Sequence, residues 1–119
     1  MRNAANHVHA AVLRAVAAIT GIDPLDRQKP AMIVESITSQ DWASVTFVGA
    51  THTIALRLEG DADAIARMTE CLAARLPDHD IPVAGQIVAD IAVMCSLVDV
   101  HPDNIIAQSL TVNLLTIQD

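Results

Sequence analysis

Apolar and polar positions alternate along Val83–Val98. The odd positions are Val83, Gly85, Ile87, Ala89, Ile91, Val93, Cys95 and Leu97, and the even ones mix Gln86, Val88, Asp90, Met94 and Ser96. Such alternation predicts a long strand with one buried face and one mixed face. Near the N-terminus the period lengthens. Val8, Val12, Val16 and Ile19, with Ala15 beside them, predict a helix over Asn3–Thr20. Gly21 suits the left-handed residue that ends a helix, and Asp23-Pro24 prevents a restart.

The stretch Ala31–Glu59 reads as strands. Met32-Ile33-Val34 opens it, and Ser39-Gln40-Asp41 interrupts it as a turn or a bulge, which leaves open whether Met32–Thr38 is a separate strand. Trp42–Val48 alternates again, and Gly49-Ala50-Thr51 fits a hairpin connection. His52–Glu59 then turns Ile54, Leu56 and Leu58 inward. Asp61 is a good N-cap for a second helix ending near Leu76, with the stripe Ile65, Met68, Leu72 and Leu76. After Val83–Val98, a turn at Asp99–Asn104 leads into a last strand, Ile105–Ile117.

This order predicts one α+β domain over residues 1–119. The expected architecture is a two-layer sandwich. A mostly antiparallel sheet of four to five strands carries two helices on one face, in the order αββαββ. Moving the first strand of the ferredoxin-like βαββαβ order to the C-terminus gives the same sequence of elements. The expected sheet order is Val83–Val98, Ile105–Ile117, His52–Glu59, Trp42–Val48. A crossover through the second helix leaves a slot that the last strand fills.

Composition narrows the function. The chain has 119 residues, 52% of them hydrophobic, enough for a core without metal or disulfide staples. Its net charge of −7, with only seven scattered basic residues, disfavours nucleic acid and anionic membrane surfaces. Trp42 and Phe47 are the only aromatic residues, little material for stacking on bases. Cys71 and Cys95 are expected as buried free thiols in a reducing cytoplasm. No run is long enough for a membrane helix, and Arg14 interrupts Ala10–Ile19, which reads as a helix of a soluble domain.

Strand parity places the candidate chemistry. If the all-apolar positions face the helices, Gln86, Asp90, Thr111, Asn113, Arg57, Trp42 and Thr46 share the other face. Asp90, alone between Ala89 and Ile91, is the carboxylate to examine first. It is either exposed, bonded to Asn113 or Arg57, or a ligand-binding or acid/base group. His7 and His9 point apart on a helix, and the remaining histidines suggest no ligand set, so no metal or cofactor is expected. No phosphate loop, dinucleotide glycine pattern or nucleophile elbow is present.

The opening helix, Gly21-Ile22-Asp23-Pro24, Lys29-Pro30 and the following hairpin and helix resemble the start of the chemotaxis phosphatases. The catalytic helix of that family, with Glu and Asn three apart, has no counterpart here, so no activity is carried over. An open face with much apolar area is usually covered, most often by a second copy. The expectation is therefore a non-enzymatic module that self-associates through its sheet as a homodimer and binds a small ligand on the mixed face. The alternative is a small enzyme, with Asp90 as acid/base and Arg57 orienting an anionic group.

Overall fold

The computed structural model describes residues 2–23, 25, 26 and 28–119, with the side chains of residues 2–4 and 97 left aside. Pro24, named above as a helix stop, and the Leu97 side chain lie outside the described residues. The elements run α1 (Arg2–Thr20), β1 (Ala31–Ala43), β2 (Val48–Asp61), α2 (Ala62–Arg75), β3 (Gln86–His101) and β4 (Ile105–Gln118). The sheet order is β1-β2-β4-β3, every neighbouring pair antiparallel. This is the order that the permuted arrangement predicts. β2 and β3 run parallel, joined through α2, with β4 between them.

The core lies between sheet and helices. Val8, Val12 and Val16 of α1 and Ile65 and Leu72 of α2 are fully buried against Ile54, Leu56, Leu58, Leu110, Val112 and Leu114. Each such side chain contributes about 1.5–3 kcal/mol by leaving water. Asp61 caps α2 as expected, its Oδ2 accepting from the backbone N–H of Asp63 and Ala64. Asn104, at the β3–β4 turn, donates to the other Asp61 oxygen at 3.3 Å and so ties that turn to the start of α2.

Three sequence expectations are corrected. Trp42–Val48 is not a strand, and Gly49-Ala50-Thr51 is not the hairpin connection. β1 runs unbroken to Ala43, and the turn is Ser44–Phe47, where the Ser44 hydroxyl accepts from the backbone N–H of Thr46 and Phe47. Met32–Thr38 is part of β1, and the irregularity falls between Val34 and Ser36 rather than at Ser39-Gln40-Asp41.

The second correction concerns β3. A bulge between Val88 and Asp90 inserts one residue and reverses the parity of the strand. Val88 and Gln86 therefore share the helix side with Thr116 and Gln118, while Ile87 faces the open side with Ile117. Gln86 thus leaves the face predicted for it, whereas Asp90, Ala92 and Met94 stay on it. Third, Cys71 and Cys95 are free but exposed. Cys71 lies on the solvent side of α2 beside buried Leu72, and Cys95 on the edge strand β3.

Candidate functional site

Cross-strand partners project to the same side of a sheet, so the register reads out the open face row by row. At one end Trp42, Gly49, Ile117 and Ile87 lie across all four strands. Next come Gln40, Thr51, Leu115 and Asp90, then Thr38, Thr53, Asn113 and Ala92, then Ser36, Ala55, Thr111 and Met94. The face is therefore apolar in the Trp42 row, carries Asp90 at its edge in the next, turns mainly to uncharged polar and small side chains, and reaches Arg57 at the far end.

Side chains hold these rows together. Thr53 Oγ1 donates to Asn113 Oδ1 at 3.0 Å, and Asn113 Nδ2 lies 3.6 Å from Met94 Sδ. Arg57 Nη1 donates to Glu35 Oε2 at 3.3 Å. Arg57 Nε lies 3.2 Å from Glu59 Oε2, an ion pair too poorly aligned to count as a hydrogen bond. Trp42 folds across Gly49, where an added Cβ would fall 2.9 Å from the ring. A shallow hollow of about 460 Å³ opens beside the ring, lined by Gln40, Asp41, Thr51 and Leu115.

Five of the six candidate residues thus share the open face: Asp90, Arg57, Asn113, Thr111 and Trp42. Asp90 and Arg57 are not brought together. Asp90 pairs with Leu115 and Arg57 with Ser109, six positions apart on β4, on the order of 20 Å at the rise of an extended strand. Arg57 is held by two glutamates and has no acid/base partner in Asp90. Gln86 and Asp90, on opposite faces of β3, both line a shallow cleft of about 530 Å³ at its free edge with Pro77, His79 and Ile81.

The most concentrated polar chemistry lies on the helix side, where the sequence pointed to none. His52, 2% exposed, faces the helices from β2. Its Nδ1 lies 2.8 Å from Ser39 Oγ on β1 and 3.0 Å from His9 Nε2 on α1, and the latter two are 2.9 Å apart. On its other side, His52 Nε2 is 3.1 Å from Thr116 Oγ1. The Thr116 hydroxyl donates to the Ala50 carbonyl at 3.3 Å. Thr116 Oγ1 is thereby the acceptor for His52 Nε2–H, and this network assigns the Nδ1 lone pair to the Ser39–His9 side.

Burial lowers the pKa of both imidazoles. For His52 the neighbouring His9 adds to the effect and Asp41 partly opposes it. A cleft of about 390 Å³ reaches the cluster, lined by Ala5, Ser39, Asp41, His52, Gln86 and Gln118. Sequence reasoning missed the cluster because its members lie 30 and 43 residues from His9. The one available signal was His52 itself, a histidine on the inward parity of an apolar strand.

The fold and the open face define a two-layer α+β domain whose sheet is bare on one side. No protein-family model matches the chain, and no curated protein matches it. Among solved structures it is similar to a chain of the virion of a native gene transfer agent particle. The two share 15% sequence identity with a TM-score of 0.60, over 96% of this chain and 97% of the other. At that identity the likeness shows the fold.

Proposed function

We propose that this chain is a non-enzymatic structural subunit that self-associates through the open face of its sheet. The observation that carries this reading is the apolar end of that face. Ile87 is 51% exposed, in one row with Trp42 and Ile117 and next to Leu115, and Met94, 61% exposed, lies three rows further along the same face. Phe47, at 53%, adds an exposed apolar side chain in the adjoining β1–β2 turn. A contiguous patch of this kind favours a partner over water.

A second copy is the occupant. The molecule measures 54 × 23 × 22 Å, so one broad face is large enough for the roughly 800 Å² per partner of a standard interface. At the charged end Arg57 is already met by Glu35 and Glu59, so that end offers little to an acidic or basic partner. The shared fold with a chain of an assembled virion particle supports a structural part in a multi-copy assembly. Free thiols at Cys71 and Cys95 suit a reducing cytoplasm. Among the described residues, no helix is long and apolar enough to cross a membrane. A small ligand would take the hollow beside Trp42.

Light scattering over a dilution series tests the reading. The expected mass is a multiple of the 12.6 kDa chain, and a monomer at every concentration would refute it.

A further inference from the structure

We propose that His9 Nε2, His52 Nδ1 and Ser39 Oγ form a binding site for one divalent transition-metal ion of right-angled coordination geometry, of the class of Ni²⁺ or Cu²⁺. The three atoms make a nearly equilateral triangle, with sides of 2.8, 2.9 and 3.0 Å. Donors about 2.0–2.1 Å from one ion and at right angles around it lie about 2.9 Å apart. The rings suit the same arrangement, edge to face at 81° with centroids 5.0 Å apart.

The second contact of His52 supports it. A ligating histidine commonly donates its other ring N–H, which fixes the tautomer and aims the lone pair. Here His52 Nε2–H donates to Thr116 Oγ1, itself committed to the Ala50 carbonyl, which leaves Nδ1 directed at the triangle. Imidazole nitrogen selects for these ions over magnesium or calcium. Asp41, two residues beyond Ser39 on the same side of β1, lines the cleft that leads to the site and adds negative charge. Water from the cleft completes the coordination. Among the described residues no three His, Cys, Asp or Glu side chains gather at one point, so this site rests on two imidazoles and a hydroxyl. Its consequence is mechanical, since the ion would pin α1 to the β1–β2 pair.

The inference is independent of the open-face reading, because the site lies on the other side of the sheet. Its test is calorimetric titration of tag-free, chelator-treated protein with Ni²⁺, repeated for His9→Gln, Ser39→Ala and His7→Gln. The expected result is saturable binding of one ion per chain. Affinity should fall at least about tenfold in His9→Gln, as much as an outer-shell contact alone is worth, and more mildly in Ser39→Ala. His7, exposed on the same helix, should be dispensable. His52→Gln should abolish binding where circular dichroism shows it folded, and His9→Gln decides the matter if it is not. Absence of saturable binding, or binding that survives His9→Gln, would overturn the proposal.

Discussion

Gly49 sits where β2, β4 and Trp42 come closest. A Cβ built at this position would lie well inside van der Waals contact with the Thr116 carbonyl oxygen and 2.9 Å from Trp42 Cζ2. Neither neighbour yields cheaply. The carbonyl belongs to the central strand β4, and Trp42 is anchored by its place in β1 opposite Gly49. Gly49→Ala must therefore part β2 from β4 locally by more than about 1 Å to restore an ordinary contact. Ladder bonds stretched that far no longer count as hydrogen bonds. Two lost bonds at about 0.5–1.5 kcal/mol each, with about 1–3 kcal/mol of overpacking, give about 2–6 kcal/mol. For a chain of this size that lowers Tm by about 8–24 °C. Gly21→Ala is the control. Its φ is +79° and nothing lies within 4 Å of the added carbon, so it loses only the left-handed preference, about 1–2 kcal/mol. Thermal melts followed by circular dichroism measure both, and Trp42, the single tryptophan, reports the local change by fluorescence. If Gly49→Ala melts no lower than Gly21→Ala, the close approach described here is wrong.

Asp61→Ala should cost about 1 kcal/mol as a lost N-cap, measured by urea unfolding, with a further loss from the Asn104 contact. Leu72→Ala, at a fully buried position of α2, should cost about 2–5 kcal/mol in the same assay. His9 and His52 have folded pKa values below the ordinary 6.5. The unfolded chain therefore takes up their protons first, so stability of the metal-free protein is intact above that value and falls as pH drops below it. Urea midpoints from about pH 8 to about pH 5 should show this decline, and His9→Gln should flatten it. A midpoint that rises toward acid pH, after allowance for the carboxylates, would contradict the assignment.

Most of the fold was legible because its periods are clear. Val8, Val12 and Val16 mark a helix, Ile54, Leu56 and Leu58 a strand, and the order of elements leaves few ways to close one sheet. The bulge in β3 was not legible. Val88 and Ile87 are both apolar, so exchanging their faces leaves no trace in the hydrophobic pattern. That single insertion moves Gln86 to the helix side and leaves Ile87 exposed. Gly49 was misread for a different reason. Glycine signals a turn as readily as a close approach, and here the approach of the Trp42 ring and the Thr116 carbonyl requires it. The Ser44 turn was masked by the apolar residues Val45 and Phe47 around it. The His9–Ser39–His52 cluster joins three elements, and no local spacing announces such a meeting.

The central claim is that the open face of the sheet joins copies of this chain. Sedimentation velocity on the wild type, Ile87→Lys and Val98→Lys tests it most directly. Ile87 lies on the open face, whereas Val98, 48% exposed, lies on the helix side opposite Gln108. The account predicts an assembled wild type, a monomeric Ile87→Lys and an assembled Val98→Lys. A monomeric wild type, or an Ile87→Lys variant that sediments as the wild type does, would contradict it.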